Sequence, residues 1–122
     1  MFQGLRTAIY PVSDLDTAKA WYVKALGIEP YFAEPFYVGF EVGGYELGLD
    51  PDTSRQAPGA AGVVAYWGVA DADAAHAHLL AAGAGAHSPV TEVGGGIRVA
   101  TVLDPFGNVF GVIENPHWKG GH

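Results

Sequence analysis

The sequence predicts an α+β domain made of two βαβββ modules in a mostly antiparallel sheet, and three observations lead there. First, residues 8–26 and 65–83 carry the same script: slid by 57 positions, seven of nineteen residues are identical, among them Val12/Val69, Asp14/Asp71 and Asp16/Asp73. Four of the seven matches are alanines in an alanine-rich chain, so the Val-x-Asp-x-Asp core carries the argument. Second, in each copy an apolar strand-like run gives way to apolar spacing of helical period. Third, each copy then continues as short apolar segments broken by glycine-containing turns. A repeated unit of this kind pairs with its copy about a pseudo-twofold axis, and a cleft between copies is a natural ligand site.

Residues 5–12 form the opening strand, with Ile9 and Tyr10 inside it. Ser13 or Asp14 caps the helix that follows, because a short oxygen-bearing side chain accepts from free first-turn amides, and Asp16 suits the positive end of the dipole. Ala18, Trp21, Tyr22, Ala25 and Leu26 fall at i, i+3, i+4, i+7 and i+8, one apolar stripe, and Gly27 ends the helix. Residues 31–33, 36–42 and 45–49 read as three strands, with Glu34-Pro35 and Gly43-Gly44 as turns. Residues 51–62 are the one linker-like stretch. Residues 63–69 repeat the opening strand, and Asp71 caps a second helix with the stripe Ala75, His78, Leu79, Ala82. Strands at 86–93 and 97–103 flank Gly94-Gly95-Gly96, residues 104–108 (Asp-Pro-Phe-Gly-Asn) make a turn, and residues 109–114 form the last strand. The expected boundaries are module 1 at 1–50, linker 51–62, module 2 at 63–114 and tail 115–122, within one domain over 1–122.

Composition narrows the function classes. The 122 residues include thirteen acidic and six basic ones, a net charge of −7, and 49% are hydrophobic. A negative field without a Lys/Arg cluster repels phosphate backbones, so nucleic acid is not an expected partner; cationic or neutral small molecules are favoured. No apolar run reaches the length of a membrane span, and the N-terminus lacks the pattern of a signal peptide, which makes a cytoplasmic location the expectation. The absence of cysteine removes disulfide and thiol chemistry.

Candidate chemistry is sparse. His76 and His78 lie two apart on a helix and point to different sides, so they do not form a chelating i, i+4 pair. Repeat equivalence matches His78 to core-facing Trp21 and His76 to exposed Lys19. His87 reads as a surface residue, and His117 and His122 lie in the tail, His117 beside Trp118. Neither Ser13, Ser54 nor Ser88 has the setting of a nucleophile. The glycine triplet lies between strands and not at a helix N-terminus, which makes it a hairpin turn and not a phosphate loop. Arg98 either faces the ligand cleft as an anchor for an anionic group or is an outward charge on an edge strand. Tyr31, Phe32, Phe36, Tyr37 and Phe40 crowd ten residues, and with Tyr66 and Trp67 they offer stacking surface for a flat ligand, strand alternation sending about half of them to the core.

Val-Ser-Asp-Leu-Asp followed by Ala-Trp-Tyr-Val-Lys-Ala-Leu-Gly, and Asp-Pro-Phe-Gly-Asn-Val-Phe-Gly-Val-Ile-Glu near the end, resemble the opening and closing motifs of the vicinal oxygen chelate superfamily. That superfamily holds glyoxalase I, bleomycin-resistance proteins, fosfomycin-resistance enzymes and extradiol dioxygenases. The resemblance implies paired βαβββ modules forming a curved sheet that cups a ligand, completed in a homodimer. It also implies, for the metal enzymes, a His, Gln or Glu on the first and last strand of each module. Here those slots fall on Thr7, Val64, Gly111 and Leu47, the last with a one-residue ambiguity that admits Glu46. None of the four is a good ligand for a divalent ion.

The expectation is therefore a cup with neither metal nor cofactor, holding a small organic molecule against Thr7, Ile9, Leu47, Val64, Tyr66, Val109, Gly111 and Ile113, with Arg98 as the polar anchor. The alternative is a glyoxalase-like lyase, isomerase or dioxygenase. It would use unexpected metal ligands, or metal-free acid/base chemistry at Glu46, Glu41 or Glu114. No catalytic residue is assigned.

Overall fold

The computed structural model describes residues 1–54 and 56–117, so the expectations on Trp118 and His122 lie outside the described residues. The chain separates into two compact units, Met1–Pro58 and Gly59–His122. Each repeats βαβββ and carries a four-stranded mixed sheet with one parallel and two antiparallel pairs.

In the first unit β1 (Thr7–Pro11) leads to α1 (Leu15–Leu26), then β2 (Phe32–Glu34), β3 (Tyr37–Val42) and β4 (Tyr45–Asp50), in spatial order β1-β4-β3-β2. Asp14 is the N-cap, its carboxylate accepting from the Thr17 amide at 3.1 Å, and Gly27 closes the helix at φ 72°, a conformation that costs glycine little. Gly43 and Gly44, at φ 58° and 93°, make the two-residue β3–β4 hairpin, where both central residues need positive φ. Strand parity then sorts the side chains. Tyr10, Val12, Val38, Phe40, Leu47 and Leu49 join Ala18, Trp21, Tyr22 and Ala25 of α1 in the core. Thr7, Ile9, Tyr37, Gly39, Glu46 and Gly48 occupy the opposite face.

The second unit runs β5 (Tyr66–Gly68), α2 (Ala72–Ala81), β6 (Gly85–Glu92), β7 (Arg98–Leu103) and β8 (Val109–Glu114), in order β5-β8-β7-β6. Asp71 caps α2 by accepting from the Ala74 amide at 3.1 Å. β6 is an edge strand that contains Pro89, which cannot donate to a ladder, and its register against β7 shifts around residues 86–91. The Asp-Pro-Phe-Gly-Asn turn is locked by the buried Asp104. Its carboxylate accepts from the Phe106 and Asn108 amides and from Asn108 Nδ2 at 2.8–2.9 Å, and Asn108 Oδ1 in turn accepts from the Gly59 amide at 3.0 Å.

One expectation is corrected here. His78 is exposed and His76 half-buried, the reverse of the assignment by repeat equivalence. α2 buries Ala72 and Leu79 and leaves Ala75 and His76 half-buried between them, an i, i+3, i+4, i+7 stripe rotated from the one α1 uses. Among the described residues, no helix is long and apolar enough to cross a membrane.

Candidate functional site

In the first unit the face of the sheet away from α1 carries a pocket of about 570 Å³, a volume in the range of small-molecule sites. Thr7, Ile9, Tyr37, Glu46 and Asp50 line its floor, and Tyr31, Phe32 and Phe36 its aromatic side. The aromatic residues that crowd the sequence thus divide by strand parity. Phe40 enters the core, while Tyr31, Phe32, Phe36 and Tyr37 go to the pocket.

Glu46 is the centre of this face. β1 and β4 pair in parallel with Thr7 opposite Glu46, and Thr7 Oγ1 donates to Glu46 Oε1 at 2.7 Å. The Tyr37 hydroxyl donates to the same oxygen at 2.8 Å, and the Tyr31 hydroxyl donates to Oε2. Tyr31 is held at the end of β2 by its own amide, which donates to the Gly39 carbonyl at 3.0 Å. Two glycines give the rings their path. A Cβ on Gly48 would lie 1.8 Å from the Tyr37 hydroxyl oxygen, and one on Gly39 would lie 2.8 Å from Glu46 Oε2 and 3.1 Å from a Tyr31 ring carbon. The bare backbone of β3 and β4 is therefore the bed on which the tyrosines reach the carboxylate.

The cluster sets its own protonation. Burial would raise the Glu46 pKa, but the hydroxyl donors Tyr31, Thr7 and Tyr37 outweigh it and hold the carboxyl below its ordinary 4.5. Burial, reinforced by the hydrogen bond to Glu46, pushes the Tyr37 phenol up to about 12, and the bond to Glu46 raises Tyr31 as well. At neutral pH the cluster around Glu46 is one carboxylate and three neutral hydroxyls.

The side chains of the site set out from sequence fall in several places. Thr7 and Ile9 line the pocket. Leu47 does not: it is fully buried against α1, because a one-residue step along β4 reverses the face, and Glu46 takes the slot beside Thr7. In the second unit, Tyr66 pairs with Gly111, and its ring lies where a Cβ of Gly111 would stand, at 2.7 Å. Val109, Gly111 and Ile113 share one face of β8, opposite to buried Phe110 and Val112. Val64 precedes β5 and is half-buried.

Arg98 is corrected as an anchor. It sits on the helix side of β7 in parity with buried Ala100 and Val102, and its guanidinium forks onto Asp73 in the first turn of α2. The other two candidate carboxylates are each bonded to a backbone amide. Glu41 accepts from the Gly44 amide at 2.9 Å within the hairpin, and Glu114 accepts from the Ala72 amide at 2.8 Å at the start of α2. His87 Nδ1 lies 2.7 Å from Thr101 Oγ1, and His117 Nε2 lies 2.7 Å from the Gly95 carbonyl.

The donor set does not suit a divalent metal. Glu46 is a single carboxylate already shared among three hydroxyls, and the slots of the second unit are Val64 and Gly111, which have no donor side chain. Among the described residues, no three His, Cys, Asp or Glu side chains converge on one point. Sequence reasoning missed the convergence of Tyr31 and Tyr37 on Glu46. The signal for it was the parity of Glu46, Gly48 and Asp50 along β4.

The fold has many solved counterparts. A glyoxalase-related enzyme from Fulvimarina pelagi superposes with a TM-score of 0.81 at 19% identity, over 98% of this chain and 94% of the other. Lactoylglutathione lyase from Agrobacterium tumefaciens gives a TM-score of 0.77 at 22% identity, over 99% and 100%. A glyoxalase/bleomycin resistance protein from Catenulispora acidiphila gives 0.72 at 28% identity, over 93% and 100%. No curated protein sequence matches the chain. The sequence pattern of one family, the Glyoxalase/Bleomycin resistance protein/Dioxygenase superfamily, matches residues 4–112. With that match spanning nearly all of both units, and the βαβββ repeat in each, the chain belongs to the Glyoxalase/Bleomycin resistance protein/Dioxygenase superfamily.

Proposed function

We propose that this protein binds a small organic molecule, without a metal, on the Glu46 face of its first unit, in the manner of the superfamily's binding members. The observation that carries the reading is the Glu46 carboxylate, fixed by Thr7, Tyr31 and Tyr37 on the floor of an aromatic-sided pocket. Few, well-placed polar groups in an apolar concavity are the usual form of a small-molecule site. A lyase, isomerase or dioxygenase reading needs either several metal donors or a carboxylate tuned as a base. The donor set does not supply the first, and the lowered pKa of Glu46 makes it a weak proton acceptor.

The test is amide and side-chain chemical-shift mapping by NMR while naphthylmethanol, a flat neutral probe, is titrated into the full-length protein. Saturable shifts concentrated at Thr7, Tyr31, Tyr37 and Glu46 are expected; shifts elsewhere, or none, would remove the proposal. The proposal includes the homodimer that the resemblance implies. Apolar surface stands exposed at Leu5, Phe36 and Val63, and light scattering at micromolar concentration should return twice the chain mass of 12.7 kDa.

A further inference from the structure

We infer that the ligand of this pocket is an aromatic organic cation that carries an N–H, held by a single charge-assisted hydrogen bond to Glu46 Oε2; the inference rests on the binding reading above and assigns the ligand's class. An ionised carboxylate offers about four lone-pair positions, two on each oxygen. Among the described residues three are taken. Thr7 and Tyr37 fill Oε1, and Tyr31 takes one position on Oε2. One acceptor position therefore remains, on Oε2, and it admits one further donor. Hydroxyl donors do not cancel charge, so the carboxylate keeps its full negative charge on the pocket floor.

The lining strengthens the case. Among the described residues its charged groups are both carboxylates, Glu46 and Asp50, at the two ends of the stretch of β4 that floors the pocket. Asp50, whose Oδ1 accepts from the Asp52 amide at 2.9 Å, stands at the other end of β4 from the carboxylate that Tyr31 touches, and so adds a second source of negative field. Tyr31 and Phe36 are about two-thirds exposed and Phe32 more than one-third, so their faces are available to a flat guest, and aromatic faces attract cations. A carboxylate-bearing guest would meet Glu46 and Asp50 with like charge. A neutral flat guest would gain the stacking and at most a hydroxyl bond to the carboxylate, without the attraction between opposite charges that a cation adds.

The experiment titrates the full-length protein with four probes under one buffer: naphthylmethylamine (protonated at neutral pH), its trimethylammonium analogue, naphthylmethanol and naphthoate. Affinity is read by calorimetry and location by NMR shifts at Tyr31, Tyr37 and Glu46. The amine should bind about tenfold tighter than the alcohol. The trimethylammonium probe, which keeps the charge and lacks the N–H, should fall between them, and naphthoate should bind weakest. Glu46→Gln should bring the amine down to the level of the alcohol. Tyr31→Phe frees a second position on Oε2 while keeping the ring, so it should not weaken the amine.

Equal affinity of amine and alcohol, both mapping to the Glu46 face, would overturn the cation assignment and leave the binding site standing. Tighter binding of naphthoate would overturn it as well. Failure of all four probes to shift those resonances would overturn the site itself.

Discussion

Gly48→Ala is the substitution that asks most of the proposed architecture. The added Cβ would stand 1.8 Å from the Tyr37 hydroxyl oxygen and 2.6 Å from the ring carbon that bears it. That overlap is too deep for a shift of a few tenths of an ångström, and β4 is held on both sides by β1 and β3, so the side chain must yield and not the strand. Tyr37 then swings off the sheet, its bond to Glu46 breaks, and its ring loses part of its cover. One neutral hydrogen-bonding partner and part of an aromatic contact are worth about 1–3 kcal/mol of stability together. The sharper readout is titration. Burial and the Glu46 bond now push the Tyr37 phenol up to about 12, and both causes vanish together, so its pKa should fall toward the ordinary 10.0. Near-ultraviolet absorbance of the phenolate, followed against pH with Tyr37→Phe as the assignment control, measures this. An alanine variant in which the high-pKa tyrosine titrates as in the parent would refute the placement of Tyr37 over Gly48.

Gly39→Ala should detach Tyr31 alone. Its Cβ crowds Glu46 Oε2 and the Tyr31 ring, and Tyr31 is exposed enough to move aside, so NMR should show the Tyr31 bond lost and Tyr37 unmoved, with little change in the urea midpoint. The pH dependence follows from signs. Glu46 titrates below 4.5 in the folded chain, so its contribution is complete above 4.5 and is lost as the pH falls through that lower value. Tyr37 is raised, so its contribution holds below 10 and is lost as the pH rises toward about 12. The urea midpoint of Glu46→Gln should therefore lie below that of the parent at neutral pH and converge on it in acid. Arg98→Ala should leave naphthylmethanol binding unchanged and move the urea midpoint little, as expected for an exposed ion pair with Asp73; a loss of binding measured by calorimetry would return Arg98 to the site.

Much of this fold is legible because local chemistry and tertiary structure agree in it. Asp14 and Asp71 announce helix starts, Gly43-Gly44 can hardly be anything but a tight hairpin, and the repeat offset aligns both opening strands. The site is less legible, for two physical reasons. A strand reverses faces at every residue, so a one-residue ambiguity decides between buried Leu47 and pocket-facing Glu46, and only the parallel register of β1 on β4 resolves it. Further, the partners of Glu46 come from three other places in the chain. Thr7 is 39 residues away, and Tyr31 and Tyr37 flank a turn, a convergence that only the folded sheet creates. Arg98 shows the opposite case: a conspicuous residue whose charge is already satisfied by a helix cap region that its own strand faces.

The most direct test of the central claim, that Glu46 anchors an organic ligand and not a metal, is elemental analysis by plasma mass spectrometry. The protein and its Glu46→Gln variant are each equilibrated with Ni²⁺, Zn²⁺, Mn²⁺ or Fe²⁺ and passed through a desalting column. A carboxylate engaged by three hydroxyls, with no three acidic or imidazole side chains converging among the described residues, predicts a metal-to-protein ratio far below one that is the same in both proteins. One equivalent of any of these ions retained by the parent and lost in Glu46→Gln would contradict it.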